Sequence, residues 1–264
     1  MKRFIPFMKS EPTVAVVRLQ GAIMNTGRGL DDVSLAPVLE KAFKRGKPKA
    51  VALQINCPGG SPVQSSLIAA RIRRLSEEND VPVVAFVEDV AASGGYWLAC
   101  AADEIYVDSC SMTGSIGVIS AGFGLQDLIG KYGVERRVHT AGTSKSMLDP
   151  FRPEKEEDIT RLKGWLNDLH DSFIGYVKSR RGDKLSENPD LFTGEVFLGQ
   201  KGVDEGLVDG IGHMVPVMKK RFGDKVQFRR FGQRKGLLSR VGMSLTHDAI
   251  GAIEDRAAFA RFGL

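Results

Sequence analysis

A chain of 264 residues, 42% apolar and 26% charged, is long enough to bury a sizeable core as one large domain or two small ones. No apolar run is long enough to span a bilayer, and residues 1–9 lack the apolar stretch of a signal peptide. The odd count of three cysteines, Cys57, Cys100 and Cys110, argues against a disulfide framework and forms no metal-ligand spacing. A reducing, cytoplasmic setting is expected, with Cys100 and Cys110 as buried thiols. The net charge of +5 is uneven: residues 219–240 hold nine basic residues against Asp224, so the rest of the chain is net negative. That stretch reads as a solvated basic tail or as a patch for anionic lipid, and no motif in it points to nucleic acid.

Residues 13–19 are β-rich and apolar and end at Gly21, which predicts a first strand. Helical spacing over 35–43 follows. Residues 50–55 predict the next strand, running into Asn56-Cys57-Pro58-Gly59-Gly60-Ser61-Pro62. Val63, Leu67, Ile68, Ile72 and Leu75 then fall on one helical face. Residues 81–87 are continuously apolar and short enough for a strand buried on both faces. A short helix over 96–102 and strands over 104–107 and 116–120 come next, then a helix over 125–132 and a strand over 134–140. Pro153 opens a long amphipathic helix, on which Ile159, Leu162, Leu166, Leu169, Phe173 and Tyr176 recur at three- and four-residue steps. A small element over 199–207 and a terminal helix over 244–262 complete the chain. Strands alternating with helices predict parallel βαβ units in an α/β fold.

Four loops carry the residues with chemical potential. The Pro-Gly-Gly turn can present the backbone N–H groups of Gly59 and Gly60 to an oxyanion, although a plain strand-to-helix turn has the same composition. Ser93 stands between an apolar strand and a short helix. Its small neighbours Ala91, Ala92, Gly94 and Gly95 leave room for a substrate beside its oxygen; a serine N-cap is the alternative. Ser115, in Thr113-Gly114-Ser115-Ile116-Gly117, can hydrogen-bond an amine or simply turn the chain into a strand. Lys145, in a polar loop, can be the base for Ser93 only when neutral, which at pH 7 takes a fall of roughly three from a reference pKa of about 10.4. Burial under a neighbouring element would supply that; otherwise it is a solvated surface lysine. His139, His170, His213 and His247 are scattered, without metal spacing or an evident acidic partner.

Four segments, taken in order, resemble the S49 peptidase family of signal peptide peptidase A and SohB-like proteins. They are Ile55-Asn56-Cys57-Pro58-Gly59-Gly60-Ser61, residues 89–96 around Ser93, residues 113–119, and residues 139–153 with Lys145 and Asp149-Pro150-Phe151-Arg152-Pro153. The resemblance implies a ClpP/crotonase-like α/β fold, a spiral of βαβ units with a long amphipathic helix and a basic C-terminal extension. It divides the chain into an N-terminal extension (1–11), a peptidase domain (12–215) and a basic tail (216–264). It implies Ser93 as nucleophile, Lys145 as general base, Ser115 as holder of the lysine amine, and backbone N–H groups at Gly59 or Gly60 and at Gly94 as oxyanion hole. No cofactor and no metal are called for.

The activity implied is a serine endopeptidase acting on peptides or unfolded segments, remnant signal peptides among them. The resemblance further implies a homo-oligomeric ring; in single-length members of the family serine and lysine meet across a subunit boundary, and the sequence leaves open whether Lys145 meets Ser93 within one chain or between two. The best-known members carry an N-terminal membrane anchor that these residues do not show, so residues 219–240 are expected to contact anionic membrane in its place, and no nucleic acid is expected. Cys57 stands where the family has serine. Two other readings fit the fold: a crotonase-like acyl-CoA enzyme, which needs no Ser–Lys pair, and a non-catalytic ring scaffold, against which an intact Ser93 and Lys145 argue.

Overall fold

The computed structural model describes residues 11–25, 29–142, 144–232 and 256–264. The described residues form two compact units: those within 1–116 together with 176–264, and those within 117–175.

The first unit is built on one sheet. Strands β1 (Thr13–Gln20), β2 (Ala50–Cys57) and β3 (Val83–Ala92) are parallel and form its centre. Val14, Val17, Leu19, Leu53, Ile55, Val83 and Val84 have no exposed surface, as expected of largely apolar strands covered on both faces. On one side of this centre lie β5 (Met112–Gly114) and then β6 (Val196–Leu198), the latter antiparallel; β4 (Glu104–Val107) also pairs with β3, and β7 (Gly210–Ile211) with β4. On the other side β8 (Gln227–Phe231) runs parallel to β1 and forms the sheet edge.

Helix α1 (Asp32–Lys44) is capped by the Asp31 carboxylate, which accepts from Ser34 N–H. Helix α2 (Pro62–Asn79) starts with Ser61 as N-cap and proline at its first position. Ser65, Ile68, Ile72 and Leu75 of α2 are buried, but Val63 and Leu67, expected on the same face, are exposed. The buried stripe runs in three- and four-residue steps from Ser65, and neither position belongs to that series. Short helices α3 (Gly94–Ala99) and α6 (Gly199–Asp204) complete the α/β layering.

The boundary expected at residue 215 falls inside this unit. Helix α7 (Met214–Phe222) buries Met214 and Met218 against Val14, Val16 and Phe86, and β8 joins the sheet directly. Lys219 and Lys220 are the outer face of α7, whose inner face is apolar, and Arg229 and Arg230 alternate with Phe228 and Phe231 along an edge strand, so charge alone concealed both elements. Of the expected terminal helix, residues 256–260 are helical; 244–255 lie outside the described residues. Cys57 and Cys100 are buried, but Cys110 is exposed, because it sits in the tight turn between β4 and β5 where its N–H donates to the Asp108 carboxylate.

The second unit contains α4 (Gln126–Lys131), and α5 (Glu156–Arg181) begins in it. Leu125 N–H donates to Pro150 O at 2.7 Å, and Arg136 pairs with Asp149 at 3.2 Å. The strands expected over 116–120 and 134–140 do not form among the described residues. Ile119, Phe123 and Val134 are exposed: the apolar pattern was present, but a strand also requires a neighbour's backbone, which this unit does not supply.

Candidate active site

Strand β3 delivers its last residue, Ala92, opposite Gly114 of β5, and the chain then turns sharply at Ser93 into α3. Ser93 has φ 52° and ψ −122°, a conformation rarely adopted by a residue with a side chain, which costs on the order of 1–3 kcal/mol. The turn is held at both ends. Ser93 N–H donates to Gly114 O at 2.9 Å, and Ser93 O accepts from Trp97 N–H at 3.0 Å. Ser93 holds the N-cap position of α3, but its side chain makes no capping hydrogen bond. It is half-buried amid Ala92, Gly94 and Gly95, all buried. A sharp strand-to-helix turn of this kind projects a hydroxyl out of the backbone.

The Pro-Gly-Gly turn is packed directly on Ser93. A Cβ on Gly59 (φ +106°) would stand 2.8 Å from Ser93 Cβ and 3.0 Å from Gly94 N. A Cβ on Gly94 would stand 2.4 Å from Ser65 Oγ and 3.3 Å from Gly60 N. Only glycine allows this approach of two backbones. The turn is fixed from behind, since Ile23 N–H donates to Gly59 O and Ser61 N–H donates to Ile23 O. Asn56 Nδ2 donates to Asp89 Oδ2 at 2.5 Å, tying the start of this turn to the start of the Ser93 segment. Asn56 Oδ1 is buried with no partner among the described residues.

Ser115, also at positive φ (50°), follows Gly114 and is half-buried; its N–H donates to Glu195 O at 2.6 Å. The structure thus brings Ser93, Gly94, Gly59, Gly60 and Ser115 into one neighbourhood of the first unit. Lys145 belongs to the second unit, where it is exposed and its N–H donates to Gly142 O at 3.3 Å.

Helix α3 is anchored from below. Tyr96 is fully buried and donates to Leu207 O at 2.7 Å; burial pushes its phenol well above the usual range. Burial likewise pushes the Cys100 thiol up to about 12. Arg180 donates to Cys100 O and Ala102 O just beyond the helix. Arg181, almost completely buried, pairs with Asp209 at 2.8 Å and donates to Gly206 O. Burial opposes ionisation of Asp209, but hydrogen bonds from Arg181 and Lys184 outweigh it and hold the carboxyl below its usual range.

Sequence reasoning missed two pairings. Asn56 and Asp89 both lay within the segments singled out, and nothing in their spacing of 33 residues announced a contact. His213 Nε2 lies 2.8 Å from Asp108 Oδ2, an acidic partner the sequence did not reveal, across 105 residues. The Ser111 hydroxyl nearby donates to backbone carbonyls of β3, not to that histidine.

The sheet and its helices form an α/β fold of the ClpP/crotonase-like type. A solved structure of a mutant of the 1510-N membrane-bound stomatin-specific protease, in complex with a substrate peptide, has this fold. It superposes with a TM-score of 0.56 at 14% identity, covering 92% of this chain and 100% of that one. The sequence profile described as Peptidase family S49 matches residues 76–225, more than half of the chain. A Synechocystis sp. protein that carries a protease name is 32% identical over 208 residues, 78% of this chain and 73% of that protein. The chain belongs to peptidase family S49. A Brucella melitensis protein bearing the name Na(+)/H(+) antiporter NhaA is 47% identical over the whole of this chain, which spans 39% of that protein's length. Among the described residues no helix is long and apolar enough to cross a membrane.

Proposed function

We propose that this protein is a serine endopeptidase in which Ser93 and Lys145 form the catalytic dyad. Ser93 Oγ attacks the scissile carbonyl while the neutral amine of Lys145 takes its proton. Backbone N–H groups of Gly94 and of Gly59 or Gly60 stabilise the oxyanion, and Ser115 orients the lysine amine. The lysine ammonium then protonates the leaving amine, and water hydrolyses the acyl-enzyme. The observation that carries this reading is the uncapped Ser93 hydroxyl on a strained turn, with the backbone of the Pro-Gly-Gly loop pressed against it.

Peptides and unfolded segments are the substrates, remnant signal peptides among them, and the working form is a homo-oligomer. Substrates with small or apolar side chains beside the cut suit the small residues around Ser93. The test is hydrolysis of a panel of fluorogenic peptides by the wild type, Ser93→Ala and Lys145→Ala, followed by mixing of the two variants. Both variants should lose turnover. Recovery on mixing assigns the dyad to two subunits, whereas wild-type turnover in either variant removes that residue from the mechanism.

A further inference from the structure

Helix α1 and the edge strand β8 enclose a groove of about 960 Å³ lined by Pro37, Val38, Lys41, Arg45, Arg229 and Arg230. Lys41, Arg45 and Arg229 come from segments almost 190 residues apart in sequence and are all exposed; Arg230, in register with Val16, faces the other side of the sheet. Arg229 lies over Gly46, where a Cβ would stand 2.5 Å from its Nη1, so the guanidinium is laid into the groove by the turn that ends α1. Lys44 and Lys47 flank Arg45 in the same turn and are also exposed.

Most described arginines of the first unit have a carboxylate within 4.0 Å, as Arg18, Arg71, Arg181 and Arg221 do. Among the described residues no carboxylate pairs with Lys41, Arg45, Arg229 or Arg230. Cations at the end of α1 also complement its dipole, but that does not account for Arg229, which a strand contributes and which lies over Gly46.

We propose that this groove is the surface on which the protein docks to an anionic membrane. Long flexible cations spread over an exposed face suit lipid headgroups better than a recessed small-anion site, which would show buried donors. The sequence that follows Gly232 favours lipid over an acidic polypeptide. It interleaves Arg234, Lys235 and Arg240 with Leu237, Leu238 and Val241, the composition of membrane-surface segments. Among the described residues the contact surface is thus shared by α1 and β8.

The experiment is co-sedimentation of the full chain with phosphatidylcholine vesicles and with phosphatidylcholine–phosphatidylglycerol vesicles. Ser93→Ala should bind as the wild type does, which separates docking from proteolysis. Binding is expected only to the anionic vesicles and should weaken with salt. Each cation removed should lower the partition roughly fivefold, so Arg45→Gln/Arg229→Gln should lower it roughly twenty-five-fold. Lys163→Gln, an exposed lysine of α5, is the control; it and the double variant should keep the wild-type unfolding midpoint. Equal sedimentation with both vesicle types, or an equal loss in Lys163→Gln, overturns the proposal. Capture of polyglutamate without vesicle binding overturns it in favour of an acidic polypeptide.

Discussion

Replacing Gly59 by alanine tests whether the Pro-Gly-Gly loop truly rests on Ser93. The added methyl would stand 2.8 Å from Ser93 Cβ, 2.9 Å from Ala92 O and 3.0 Å from Gly94 N, at φ +106°. Two costs combine: roughly 1–2 kcal/mol for a side chain at positive φ, and about 1–3 kcal/mol for overpacking atoms that are mostly backbone and cannot swing away. A loss of roughly 2–5 kcal/mol in urea unfolding is expected. Because the same methyl pushes on Ser93 and Gly94, kcat/KM on a fluorogenic peptide should fall by more than the folded fraction does, on the order of 10²-fold or more if an oxyanion donor is misplaced. Gly223→Ala is the matched control, with φ +89° and nothing within 4 Å of the added methyl, so it carries only the conformational cost. If Gly59→Ala is no more destabilising than Gly223→Ala and keeps wild-type turnover, the close approach of loop and serine is refuted.

Arg181→Met should cost about 3 kcal/mol in chemical denaturation, because it takes the buried guanidinium from the Asp209 carboxylate, which keeps only Lys184 and the Ile105 N–H, and from Gly206 O. Acid should destabilise the fold through Asp209 and Asp32, both held below the ordinary value of 3.8. Each is ionised in the folded chain where its unfolded counterpart begins to take up a proton. The stability they contribute is therefore present above pH 3.8 and lost as pH falls through their folded values, and Asp209→Asn should flatten that part of the melting-temperature profile. A thiol reagent should modify Cys110 rapidly in the native protein and leave Cys57 and Cys100 until unfolding, as burial of two thiols and the raised Cys100 value require; fast labelling of Cys100 would contradict the packing of α3.

The central strands were readable because their signal is local: β1, β2 and β3 are apolar at nearly every position and bounded by glycine or proline turns. The candidate site was readable for the same reason, since Ser93 and the Pro-Gly-Gly loop each sit immediately after a strand, and parallel pairing of β2 with β3 places those strand ends side by side. Features that depend on distant partners were not readable. Residues 116–120 and 134–140 have strand-like composition without a neighbouring strand, Asn56 finds Asp89, and His213 finds Asp108. The charge of residues 219–230 hid an amphipathic helix and an edge strand, because the net sign of a segment says nothing about which side of it faces inward.

The pairing of β1 with β8 also orders events during synthesis. Thr13 lies opposite Gln227 and Val17 opposite Phe231, so the outer flank of β1 stays vacant until β8, 214 residues further on, has left the ribosome. At roughly 5–20 residues per second the wait is on the order of 10–40 seconds. Through that interval β1 can associate with β2 but offers a row of unsatisfied amides and carbonyls to any passing strand. A nascent chain released before Phe231 would keep that invitation open, and its readiest answer is another copy of itself.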